Sequence, residues 1–124
     1  MKIKESAENY LETILMLKTK NGFVGSIDIA NTLGYTKASV SVAMKALREE
    51  EYIIVSENGD LSLTEKGYEI AKNMFERHEV IAKGLIALGV SEHTAFEDSC
   101  KVEHYISNES FEKIKKYLEE KKII

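Results

Sequence analysis

The chain has 124 residues, 44% of them hydrophobic and 31% charged, with a net charge of −4, a single cysteine and no proline. That length supports one ordinary core or two small modules sharing a helix. One cysteine excludes an internal disulfide, and no apolar run reaches membrane-helix length or follows a signal-peptide pattern, so a cytoplasmic protein with no membrane partner is expected.

Residues 5–19 read as an amphipathic helix, with Tyr10, Leu11, Ile14, Leu15 and Leu17 near the 3.6-residue period and Glu8, Asn9 and Glu12 on its flank. Asn21-Gly22 ends it, and Phe23-Val24 is expected to pair as a small strand. Ser26 is the expected N-cap of a second helix, with Asp28 two residues on and Gly34 as its stop. Thr36 caps a third helix, in which Val40, Ala43, Met44 and Leu47 face inward and Thr36, Lys37, Ser39, Ser41 and Lys45 face outward. Helix, glycine-containing turn and helix form the pattern of a helix-turn-helix. The β-rich runs Tyr52–Ser56 and Leu61–Leu63 flank Asn58-Gly59, a type I′ hairpin signal. A helix-turn-helix followed at once by a hairpin is a winged helix, which points to double-stranded DNA. From Thr36 to Arg48 the cations Lys37, Lys45 and Arg48 meet no acid, although the whole chain is negative.

Thr64 caps a long helix whose apolar positions, Ile70, Ala71, Met74, Phe75, Val80, Ile81 and Leu85, carry it to about Leu88 and into a second module. Gly89 ends that helix, Ser91 caps the next, and His93 is expected at the surface. Cys100, Glu103 and His104 then stand at i, i+3 and i+4. On a helix these share one face, so a thiolate, a carboxylate and an imidazole form half a metal site. His78 in the long helix, and Asn9 and Glu12 in the first, are further candidates from distant parts of the chain. Ser107-Asn108 breaks the chain, and Ser110 is expected to open a last helix lined by Phe111, Ile114, Tyr117 and Leu118. The tail Glu119–Lys122 reads as a frayed helix end. The expected fold is mainly α: a winged helix-turn-helix over residues 1–67, then a helical metal-binding and dimerisation module over 68–124.

The stretch Glu8-Asn9-Tyr10-Leu11-Glu12-Thr13-Ile14, the triplet Arg77-His78-Glu79 and the motif Cys100-x-x-Glu103-His104 resemble the metal-dependent repressors that include the diphtheria toxin repressor and the manganese transport regulator. The resemblance runs through almost the whole chain. It implies a homodimeric repressor that binds an operator when a divalent metal is present. The implied ligands are Asn9, Glu12, His78, Cys100, Glu103 and His104, and the implied DNA contacts are Thr36, Lys37, Ala38, Ser39, Ser41, Val42 and Lys45. The chain departs from the family pattern at four places. Val42 stands where members tend to carry a polar, base-contacting side chain; the wing carries Glu57 and Asp60 rather than cations; and Asn9 and Cys100 stand where manganese-responsive members carry carboxylates. A soft thiolate disfavours Mn²⁺ relative to Fe²⁺, Co²⁺ or Zn²⁺. Fe²⁺ is therefore the favoured activator, with one ion per subunit, and Mn²⁺, Zn²⁺ or Co²⁺ as possible substitutes. The chain reads as the short form of the family, without a further β-barrel domain. Two other readings are a small metalloenzyme and a metal-free winged helix that senses a small molecule or a protein. The first lacks a general base beside a H-x-E or H-E-x-x-H motif, and the second would leave Cys100, Glu103 and His104 as packing and surface residues.

Overall fold

The structure, a computed structural model, describes residues 5–124; the first four residues of the expected winged-helix domain lie outside it. The described elements run α1 (Glu5–Asn21), α2 (Ser26–Leu33), α3 (Lys37–Glu49), β1 (Ile53–Val55), β2 (Leu61–Leu63), α4 (Glu65–Ala87), α5 (Glu92–Val102) and α6 (Asn108–Glu120). The chain divides into two compact units, one ending at Lys72 and one running from Asn73 to Ile124, and the division falls inside α4.

The first unit is a winged helix. Leu11, Ile14, Val24, Ile29 and Val40 are fully enclosed in its core, and Leu61 from the wing joins them. Helix α2 is capped one residue earlier than expected: Gly25 is the N-cap, and its N–H donates to Asp28 Oδ2 at 2.8 Å, so Ser26 is the first helical residue. Gly34 closes α2 at φ 72°, its N–H donating to Ala30 O at 2.9 Å. Thr36 caps α3 as expected, with Oγ1 accepting the Ser39 N–H at 3.1 Å. At the end of α3, Glu51 takes φ 64° while Tyr52 N donates to Leu47 O at 2.9 Å. A glycine usually fills that left-handed position, because a Cβ there crowds the following carbonyl.

β1 and β2 pair antiparallel, with Ile53 opposite Leu63 and Val55 opposite Leu61. That register leaves residues 56–60 as the loop. Gly59 N donates to Ser56 O at 2.9 Å, which places Glu57 and Asn58 at the centre of the turn, and Gly59 alone in the loop has positive φ. The two-residue type I′ turn expected from Asn58-Gly59 is therefore replaced by a longer loop, since type I′ needs positive φ at both central residues. Phe23-Val24 is not a strand; the Val24 carbonyl accepts from Leu61 N at 2.7 Å. Thr64 caps α4 by accepting the Gly67 N–H at 3.1 Å and donates its hydroxyl to Glu51 O at 2.7 Å.

In the second unit Val80 and Ile81 of α4 pack with Phe111 and Leu118 of α6, and Leu85 and Ile106 lie against them. Gly89 at φ 102° ends α4, and Ser91 caps α5. Ser107, not Ser110, caps α6: its Oγ accepts the Ser110 N–H at 3.1 Å. The expected frayed tail is instead closed by Lys122 at φ 58°, with Ile123 N donating to Leu118 O at 2.9 Å. An apolar groove of about 1020 Å³ runs between the ends of α4, α5 and α6.

Candidate metal centre and DNA-facing helix

His78 lies midway along α4 and presents Nδ1 to α5. That nitrogen is 2.9 Å from Ser99 Oγ, 3.1 Å from Glu103 Oε2 and 3.7 Å from Cys100 Sγ. The Ser99 hydroxyl donates to Phe96 O at 3.2 Å, so toward His78 it accepts. The imidazole stacks on Phe96, with ring centroids 5.6 Å apart. The Cys100 and Glu103 side chains beside it push the His78 pKa up to about 10 from 6.5, against the opposing effect of burial.

α5 ends at Val102, so the pentad does not lie on one uninterrupted helix. Glu103 keeps αR geometry as the C-cap, and the next turn tightens: His104 N bonds to Lys101 O and Tyr105 N to Val102 O. Cys100 is exposed, whereas Glu103 is 0% and His104 7% exposed. Arg77, 8% exposed, holds this turn, its guanidinium donating to Glu103 O at 3.1 Å and to Ile106 O at 2.7 Å.

Burying a carboxylate is costly unless both oxygens find partners. Glu103 Oε2 faces His78, but among the described residues Oε1 accepts no hydrogen bond and lies 3.4 Å from His104 Nε2. Two imidazoles and a carboxylate with an unsatisfied lone pair, and a thiol beside them, suit a divalent transition ion in donor chemistry. In the second unit His78 meets Cys100 and Glu103, and Glu103 in turn meets His104, which links four of the expected ligands pairwise. Asn9 and Glu12 belong to α1 of the first unit, where Glu12 is buried and the Asn9 carbonyl accepts the Thr13 hydroxyl at 2.8 Å. Sequence reasoning missed Ser99 and the role of Arg77. Nothing in the text distinguishes Ser99 from an ordinary helical serine, and the carbonyls that Arg77 holds are 26 and 29 positions away.

On α3, Val40, Met44 and Leu47 are buried, and Thr36, Lys37, Ala38, Ser39, Ser41, Val42 and Lys45 are all exposed. Thr36 also donates its hydroxyl to Ser39 Oγ at 2.9 Å. Asp60, one of the two acids noted in the wing, is a structural tie. Lys18 Nζ lies 2.7 Å from both its oxygens, and the Val24 N–H donates to it at 3.0 Å. The Lys18 ammonium and that N–H hold its carboxyl below its ordinary range.

Residues 2–61 match the family model described as iron dependent repressor, N-terminal DNA binding domain. Residues 64–122 match iron dependent repressor, metal binding and dimerisation domain. The HTH-type transcriptional regulator MntR of Bacillus subtilis (strain 168) is 35% identical over 109 residues, covering 88% of this chain and 77% of the relative. This chain belongs to the iron-dependent repressor family. An uncharacterised HTH-type transcriptional regulator of Methanocaldococcus jannaschii is 34% identical over 119 residues, covering 94% of this repressor-family chain and 95% of its own. The solved structure of the manganese regulator SloR matches with a TM-score of 0.81 at 24% identity, covering 96% of this chain and 55% of its own. The structure of T. acidophilum IdeR matches with a TM-score of 0.78 at 24% identity, covering 95% and 55%. The chain therefore spans about half the length of these solved structures, which share its fold. Family membership makes the chain a transcriptional regulator, not an enzyme, with a DNA-binding half and a metal-binding and dimerisation half. Among the described residues no helix is long and apolar enough to cross a membrane.

Proposed function

We propose that this chain is a cytoplasmic, homodimeric repressor whose operator affinity is raised by one divalent transition-metal ion per subunit. The observation that carries the reading is Glu103, a fully buried carboxylate with one oxygen bound to His78 and the other left without a hydrogen bond among the described residues. His78, Cys100, Glu103 and His104 would hold the ion, with Glu12 and Asn9 added by the family resemblance. A bound ion supplies positive charge that satisfies Glu103. His78 must give up its proton to bind, and Arg77 keeps the Glu103–His104 turn in place. Fe²⁺ is the favoured metal because of Cys100, with Zn²⁺ or Co²⁺ able to substitute and Mn²⁺ the weaker fit.

The apolar groove of the second unit supports dimerisation. Leu88 is 83% exposed and Tyr117 58% exposed at its edge, and a partner copy would cover them. A winged-helix dimer reads two half-sites, which a monomer cannot. On the DNA side, Lys37 and Lys45 supply phosphate contacts, and the outward face of α3 enters the major groove.

Titration with Co²⁺ followed by operator binding, with and without chelator, tests the reading. The expected result is one ion per subunit, a thiolate-to-metal charge-transfer band lost in Cys100→Ser, and tighter DNA binding with metal. Equal operator affinity with metal and with chelator would refute metal control. Equilibrium dialysis without stoichiometric metal binding would favour the metal-free regulator instead.

A further inference from the structure

The outward face of α3 carries an aliphatic side chain where a base-reading residue would stand. At 100° per residue, the buried stripe of Val40, Met44 and Leu47 places Ala38, Val42 and Lys45 on the opposite side of the helix. Val42 is 72% exposed. A lone exposed valine on an arbitrary surface carries no information. This one shares its side of the helix with Lys45, in a stretch from Thr36 to Arg48 that also carries Lys37 and Arg48 and contains no acid, on the DNA-binding half of a repressor. The basic character of that stretch suits a groove walled by phosphates, while the exposed Val42 side chain can neither donate nor accept a hydrogen bond. The hydroxyls of Thr36 and Ser39 are already joined to each other in the helix cap.

An aliphatic side chain can recognise a base in the major groove through one feature, the 5-methyl group of thymine; the other base edges present donors and acceptors. We propose that Val42, with Ala38 one turn before it, is a specificity-determining contact to a thymine methyl group in each operator half-site. A polar residue at this position would read hydrogen-bonding edges; Val42 reads a methyl. The proposal rests on the assignment of α3 as the base-reading helix.

The test starts from duplexes selected out of a randomised pool by the full-length protein at fixed metal and salt. Each thymine of the selected site is then replaced by deoxyuridine, which removes the methyl and leaves base pairing intact. At one position per half-site the replacement is expected to weaken binding about fourfold, and about fifteenfold when both half-sites are changed, as for exposing one or two methylene-sized groups. Val42→Ala should bind the thymine duplex more weakly than the unmodified protein does and should no longer distinguish thymine from uracil at that position. Because Val42 is exposed, its replacement leaves the core intact, which circular dichroism checks. A uracil penalty that is absent, or the same in the unmodified and Val42→Ala proteins at every position, overturns the proposal. Failure to enrich any duplex overturns the assignment of α3 as the reading helix, and the contact with it.

Discussion

Arg77→Met should loosen the turn that carries Glu103 and His104. The guanidinium is buried, with 8% of the residue exposed, and its two bonds go to carbonyls just beyond the end of α5, at 3.1 and 2.7 Å. Carbonyls at a helix end lack an intrahelical donor, and a cation there also meets the negative end of the helix dipole. Each hydrogen bond to a charged group contributes about 1.5–3 kcal/mol. Part of this is offset in the variant, because burial of a guanidinium whose Nε has no hydrogen-bond partner among the described residues is itself unfavourable. The expected net loss is about 2–3 kcal/mol, felt locally, and Arg77→Lys should recover part of it because one donor head replaces a fork. Amide hydrogen exchange of the metal-free protein reads this directly. The N–H groups of Tyr105 and Ile106, both bonded to Val102 O, should exchange roughly 30- to 150-fold faster in Arg77→Met, at about 1.4 kcal/mol per factor of ten. Co²⁺ affinity should fall in parallel while the absorption spectrum keeps its shape, since no ligand is removed. Unchanged exchange at Tyr105 and Ile106 would refute the argument whatever happened to metal binding.

Three further outcomes are expected. With His78 raised to about 10 from 6.5, its contacts stabilise the metal-free protein fully below pH 6.5 and are lost as pH rises toward 10. Metal affinity should rise with pH across that same window, with protons released per ion from His78 and from the Cys100 thiol as each becomes a ligand; calorimetry in buffers of different ionisation enthalpy checks this, and a binding heat independent of buffer would contradict it. Asp60→Asn should speed amide exchange at Val24 and Leu61, because it weakens the tie from Lys18 and Val24 to the wing. Asp60's carboxyl is depressed below 3.8, so its stabilising contribution is present above that pH and fades as pH falls through the lower native value. Gly67→Ala should destabilise the first unit by about 2–3 kcal/mol, because the added Cβ would stand 2.1 Å from the backbone carbonyl oxygen of Tyr52. Thermal melting should show a drop of about 10–20 °C, and an unchanged melting temperature would mean that α4 can shift freely from Tyr52.

What this sequence settled by itself is what depends on neighbours within about four residues. Thr36, Thr64 and Ser91 cap their helices because each side chain reaches an N–H three positions on, and Gly34 and Gly89 stop helices because they accept positive φ. The alternation of buried and exposed positions along α3 is equally local, which is why its outward face was legible. Where two local solutions compete, the sequence misleads by a few residues: Gly25 with Asp28 outcompetes Ser26, and Ser107 outcompetes Ser110. The wing loop is a tertiary decision, since the pairing of Val55 with Leu61 fixes which residues are left to turn. Asp60 is only one of two acids in the wing until the chain path brings Lys18 to it from 42 positions away. In the same way, Arg77 becomes a strap, and Glu103 a buried carboxylate with a spare oxygen, only once α4 lies against the end of α5. Residue identity supplies the donor and acceptor chemistry, but which partners meet across tens of residues is set by packing, and only the folded chain decides it.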